Sequence, residues 1–142
     1  MRYPTIASVA AATMLGCLHT EFVTGTNFVT GTYAAAFFRI TPAGQAEINV
    51  LAAGGSLSIV IRSDGTTTGG LSIPASVTGG AAFSASMEGT ADVGGLTVTF
   101  DQEADTFVRD LSWSRIGNSL EVRDQTVGGA TYSITLNRLQ TD

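Results

Sequence analysis

Residues Phe22 to Tyr33 read FVTGTNFVTGTY, a hexapeptide written twice with Asn27 of the first copy replaced by Tyr33 in the second. An even repeat keeps strand phase. Phe22, Thr24, Thr26, Phe28, Thr30 and Thr32 therefore share one face of an extended chain, and Val23, Gly25, Asn27, Val29, Gly31 and Tyr33 the other. A hexapeptide solenoid needs many more copies, and the rest of the chain contains none. The pair is read instead as a local duplication inside a long first strand region, bent or bulged at Gly25 and Gly31.

Downstream, the dominant period is two. Leu57, Ile59 and Ile61 alternate with Ser58, Val60 and Arg62, and Leu71 and Ile73 flank Ser72. The same holds for Phe83, Ala85 and Met87, for Leu96, Val98 and Phe100, and for Tyr132, Ile134 and Leu136. Such alternation marks strands with one buried and one wet face. Turn signals such as Gly54-Gly55, Ser63-Asp64-Gly65, Gly94-Gly95, Gly117-Asn118 and Gly128-Gly129 separate the runs, and they supply the positive φ that tight hairpins require. No helical period stands out after residue 20. The expectation is an all-β fold: an antiparallel up-and-down β-barrel of about eight to ten strands. Closure into a barrel is the most complete way for a long meander to hide its edges.

The 142 residues suit one domain and can bury a core without disulfide support. Apolar residues make up 44% and charged residues only 13%, a composition that excludes disorder. Every basic residue is arginine and the net charge is −5, so the footprint of a nucleic-acid-binding protein is missing.

The N-terminus reads as an export signal. Arg2 supplies a positive start, Ile6 to Leu15 form an apolar run too short to span a bilayer, and Met14-Leu15-Gly16-Cys17 follows. This resembles the lipobox of bacterial lipoproteins, with Met14 where leucine is usual. The resemblance implies cleavage before Cys17 and lipidation of Cys17 as the new N-terminus, with residues 1–17 forming the signal and its lipobox-like end and a barrel domain over 18–142, anchored in the bacterial cell envelope. The other reading keeps the segment as a helix packed on the domain, with Cys17 a small buried residue.

Further motifs resemble the lipocalins and related small barrels. Gly31-Thr32-Tyr33 is similar to their Gly-x-Trp signature, with tyrosine for tryptophan. Arg138, in Leu136-Asn137-Arg138-Leu139, is similar to the late arginine that packs across their barrel base. The resemblance covers roughly residues 20 to 139 and implies a barrel that holds one small apolar ligand.

Candidate site residues follow from phase. Arg109 falls among Phe107, Leu111 and Trp113, and Arg138 shares phase with Tyr132, Ile134 and Leu136. Arg109, Arg138, Trp113 and Tyr132 are thus the candidate ligand-binding set, in which inward guanidinium groups grip the carboxylate of a ligand such as a fatty acid. The competing reading places both arginines at a barrel end, paired with Asp105 or Asp110 or stacked on Trp113. Asp101, Glu103 and Asp105 lie together but lack the offsets of a calcium loop, and a solvated turn accounts for them. The only histidine, His19, sits beside Cys17, which disfavours a histidine-dependent hydrolase or a histidine metal site. No cofactor is called for. Phe37 and Phe38 are consecutive, so one of them should face outward. The resulting expectation is an exported, non-catalytic barrel that binds a small apolar ligand or serves the envelope structurally. The alternative is an integral eight-stranded outer-membrane barrel.

Overall fold

The computed structural model describes residues 29–140. It is an antiparallel barrel closed by the pairing of its first and last strands. In chain order the elements are β1 (Gly31–Pro42), β2 (Ile48–Asn49), β3 (Ser56–Ile61), β4 (Thr66–Ile73), α1 (Ala75–Thr78), β5 (Phe83–Ser86), β6 (Gly89–Gly94), β7 (Thr97–Gln102), α2 (Phe107–Asp110), β8 (Trp113–Ile116), β9 (Ser119–Val127) and β10 (Ala130–Arg138). Eight strands form the staves in the order β1-β3-β4-β6-β7-β8-β9-β10, while β2 pairs with β1 and β5 with β4. The expected all-β barrel is therefore the observed fold. The two helices are single turns.

Alternation dictates which side chains fill it. Leu57, Ile59, Ile61, Leu71, Ile73, Val98, Phe100, Ile134 and Leu136 all point into one continuous core with Tyr33, Phe38, Met87, Trp113, Leu120 and Val122. Serine and threonine take the outer face. Two expected inward residues lie outside: Leu96, which caps the β6–β7 turn, and Phe83, which opens the short β5.

The first strand departs from its expected shape. It opens at Gly31, so within the described residues only Gly31-Thr32-Tyr33 of the repeat belongs to β1; Phe22 to Phe28 lie outside them. The bulge is at Ala36, not at Gly31: Ala35 faces Leu136 and Phe37 faces Thr135, leaving Ala36 as the extra residue. One extra residue inverts the phase. Tyr33 and Ala35 face the core before the bulge, and Phe38 and Ile40 after it. A second phase shift in β9 lies between Val122 and Gln125, where Asp124 takes a φ of +48°.

Two glycines let the staves change partners. β4 pairs with β6 at Thr66 and Thr67 but with β5 from Gly70 to Ile73. Between these segments Gly69 has φ +134°, and a Cβ there would lie 2.1 Å from the Ser58 carbonyl oxygen. Gly89, at φ +156°, would bring one to 2.3 Å from the Asp101 oxygen. No side chain fits at either position. The buried Met87 carbonyl, left between β5 and β6, accepts from Thr67 Oγ1 at 2.7 Å and from Gln102 Nε2 at 3.4 Å. These contacts account for two of the buried polar residues.

The two ends of the barrel differ. At one, the hairpin end, β3–β4, β6–β7 and β8–β9 turn within a few residues, and the chain enters at Val29. At the other, the loop end, three long connections cross: residues 43–55, 74–82 carrying α1, and 103–112 carrying α2.

The bulge assignment separates two adjacent phenylalanines. Phe38 is fully buried and Phe37 is 40% exposed, with the Arg39 guanidinium over its ring. Phe38→Ala should cost roughly 3–5 kcal/mol in urea unfolding, whereas Phe37→Ala should cost under about 1 kcal/mol. Equal costs would place the bulge elsewhere.

Candidate functional site

Two of the long connections of the loop end, 74–82 and 103–112, border with the β9–β10 hairpin an open cleft of about 540 Å³. Its floor comes from an aromatic pair. Phe107, the first residue of α2, stacks on Tyr132 of β10 at 4.4 Å between centroids and 16° between planes, and it tilts against Phe38 at 5.9 Å. Ile73 at the end of β4, Val127 at the end of β9 and the half-exposed Phe83 add apolar walls. Stacking of this kind contributes about 0.5–1.5 kcal/mol beyond area burial. It holds α2 against the barrel wall and fixes the floor.

Polar groups are few. Asp105 and Asp110 line the cleft, and no arginine does among the described residues. Thr106 stands at the N-cap of α2, where a threonine hydroxyl ordinarily accepts from the backbone N–H groups of the first turn. It makes no such bond here. Thr106 is only 7% exposed, and its Oγ1 has no partner among the described residues. Burial pushes the Tyr132 phenol above its ordinary pKa, and the nearby Asp110 charge adds to the rise, so Tyr132 holds its proton as a donor.

The four candidate ligand-binding residues are not brought together. Tyr132 belongs to the cleft. Trp113 is completely buried below the loop end, where its indole Nε1 donates to the Val108 carbonyl at 3.4 Å and its ring meets Phe100 edge-on at 5.9 Å. It is a core residue. Arg109 is not on an inward strand face, because the expected strand through Phe107–Trp113 is replaced by α2 and a short link to β8. Its Nη2 donates to Asp105 Oδ1 at 3.0 Å and its Nη1 to the Gln102 carbonyl at 3.4 Å. The pairing with Asp105 weighed from the sequence is the one observed. Arg138 does face inward, but at the hairpin end.

At that end Arg138 stands opposite Tyr33 across the β1–β10 seam. Its Nε and Nη2 donate to Tyr33 Oη at 3.3 and 3.1 Å, with the guanidinium carbon 5.6 Å from the ring centre. Gly31 makes room: a Cβ there would come within 3.2 Å of the Arg138 side chain. The similarity noted between Gly31-Thr32-Tyr33, Arg138 and the lipocalin signature is thus realised as one physical contact, and the closed barrel is compatible with a lipocalin-like fold. Arg115, in register with the buried Leu120, is a second arginine at this end that phase reading overlooked.

Asp101, Glu103 and Asp105 do not gather, and no metal-holding cluster of acids, histidines or cysteines forms among the described residues. Cys17 and His19 lie outside those residues. Sequence reasoning missed Thr106, Asp110 and Phe83. The available signal was Asp105-Thr106 before a short apolar turn, an N-terminal helix mark that strand periodicity obscured.

The raised Tyr132 pKa has a checkable consequence. An acid whose folded pKa exceeds its unfolded value keeps its proton longer in the fold. The stability this contributes is present below the ordinary tyrosine pKa and is lost as pH rises through the folded one. In a spectrophotometric titration, the tyrosinate component removed by Tyr132→Phe should have its midpoint above 10.0, the ordinary value. A midpoint at or below it would contradict the buried donor.

No family model matches this chain, and neither a curated protein nor a solved structure does.

Proposed function

We propose that this chain is an exported, lipid-anchored barrel that binds one small, largely apolar molecule in the loop-end cleft without catalysis. The observation that carries this reading is the cleft itself, walled by Ile73, Phe83, Phe107, Val127 and Tyr132 and bordered by Thr106, whose buried hydroxyl has no partner among the described residues. A buried hydroxyl without a partner costs about 1–3 kcal/mol, which a ligand recovers if its entry uncovers the oxygen. A cleft with apolar walls and a few convergent polar groups is the usual form of a small-molecule site.

Its lining also selects the head group. With Asp105 and Asp110 at the rim and no arginine among its described lining residues, the cleft disfavours the carboxylate of a fatty acid. It suits an apolar body carrying a neutral or cationic, hydrogen-bonding head. Phe107 and Tyr132 would contact the body, Thr106 the head.

Export rests on the N-terminal apolar run, and anchoring on Met14-Leu15-Gly16-Cys17. Spanning barrels carry their apolar band outside and polar groups within. Here the apolar residues point inward, while Ser58, Ser72, Thr97, Thr99 and Ser114 stand on the other face. This distribution favours a barrel bathed in water over an integral outer-membrane one.

Two measurements test the binding reading. Dodecylamine, dodecanol and dodecanoate should compete for the site against the apolar dye Nile red in that order, with amine over carboxylate by roughly tenfold. Dodecanoate leading would overturn the head-group assignment, and no displacement by any of them would end the reading. Thr106→Val should weaken ligand binding by roughly tenfold while raising stability by about 1 kcal/mol, because it removes an unsatisfied hydroxyl. Reduced stability with unchanged affinity would mean that the hydroxyl serves the fold.

A further inference from the structure

Three exposed aliphatic side chains lie at the hairpin end. Leu96 caps the β6–β7 turn at 67% exposure, Ile116 closes β8 at 49%, and Leu139 follows β10 at 51%. Their backbones, or those of their immediate neighbours, are hydrogen-bonded into the barrel rim. Arg115 N donates to the Leu96 carbonyl at 2.7 Å, next to Ile116, and Leu139 N donates to the Thr32 carbonyl at 2.7 Å. The side chains are therefore presented on rigid tips rather than on loops free to fold them inward. Serine, threonine or glycine would satisfy these turns without exposing hydrocarbon.

Charge divides along the same axis. Glu47, Glu103, Asp105 and Asp110 lie on the long connections of the loop end, where Glu47 and Asp105 pair with Arg39 and Arg109. At the hairpin end stand Arg62, exposed in the β3–β4 turn, with Arg115 and Arg138 at the barrel mouth, against Asp64, Asp92 and Glu121, the last paired with Arg123. Asp64 is itself turned to the hairpin, accepting from Thr66 N at 2.9 Å and Thr66 Oγ1 at 2.6 Å. The barrel thus has an acidic loop end and an arginine-bearing, aliphatic hairpin end.

The N-terminal chain leaves from the hairpin end. Val29 enters there, and the preceding 28 residues include the apolar run Ile6 to Leu15 and Cys17. The 12 residues from Cys17 to Val29 can reach at most about 40 Å when fully extended. A group attached at Cys17 therefore lies within that distance of Val29, at the hairpin end.

We propose that the hairpin end is a membrane-facing surface, on which Leu96, Ile116 and Leu139 enter the headgroup–acyl boundary of an anionic lipid layer with Arg62 among the headgroups. Interfacial binding of this kind scales with buried apolar area plus attraction of basic side chains to anionic lipid, and one weak anchor gains stability from a second contact. The orientation directs the acidic loop end, with its cleft, away from the lipid. The proposal does not depend on what the cleft binds.

The test uses the full chain with Cys17→Ser, so that an introduced cysteine is the only thiol. An environment-sensitive dye is attached at Leu96→Cys in one variant and at Ala81→Cys, on the loop end, in the other. Vesicles of phosphatidylglycerol and phosphatidylcholine should shift the dye at residue 96 to the blue and leave that at 81 unchanged, with a weaker response to phosphatidylcholine alone. In the same background, Ile116→Ser with Leu139→Ser should lower vesicle partitioning by at least roughly tenfold while preserving the thermal transition. The proposal is wrong if both dyes or neither respond, or if the double variant partitions like its parent. A lipid-independent blue shift that grows with protein concentration would make this end an interface between copies and would equally overturn it.

Discussion

The pairing of β1 with β10 is the constraint on which the rest of the structure depends. It runs from Tyr33 opposite Arg138 to Pro42 opposite Ala130, and it joins the first and last strands of the described chain. Without it, both strands would present unpaired N–H and C=O groups, and the core would open along one side. The Arg138 contact with Tyr33 lies at one end of this seam, and the stack of Tyr132 on Phe107 lies near the other. Neither contact is strong alone, since a hydrogen bond of this kind contributes about 0.5–1.5 kcal/mol net. Their position matters more than their size: the first joins side chains 105 positions apart across the seam, and the second packs beside it, where Phe107 also meets Phe38 of β1.

Closure also explains why the two ends diverged. An antiparallel barrel has hairpins at both ends, and only length distinguishes them. The short turns leave the hairpin end occupied by inward Tyr33, Arg115 and Arg138. The long connections cannot all lie flat over the other mouth. Two of them wind into single helical turns, α1 and α2, and the gap between these and the β9–β10 hairpin is the cleft. The interior beneath is filled by Trp113, Phe38, Phe100 and the aliphatic ring around them. The cleft is consequently at the mouth rather than deep inside.

The arginines show how far a single side chain's meaning depends on its surroundings. Arg109 and Arg138 looked alike in the sequence, each among alternate apolar residues. One turned out to sit on a helical turn with a carboxylate neighbour four positions earlier, which satisfies it locally. The other faces inward, as its phase required, but at the end remote from the cleft. The cleft is thus lined by one arginine-paired carboxylate, Asp105, and by Asp110.

Alternation of Leu57, Ile59 and Ile61, of Leu71 and Ile73 and of Ile134 and Leu136 was enough to determine an all-β meander with one greasy face, because a period of two reports directly on the pleat. Gly31-Thr32-Tyr33 and Arg138 each carry a resemblance to a lipocalin feature, and the closed barrel makes them partners. What the sequence could not determine was phase across interruptions. A bulge such as Ala36 has no composition of its own; it exists because β1 must meet β10 with Tyr33, Ala35, Phe38 and Ile40 all inside. The same limit hid the cleft. Thr106, Phe107, Asp110, Phe83 and Tyr132 come from separate connections, and only their meeting above a closed barrel makes them one site. That meeting is decided by long-range packing, which leaves no local period to read.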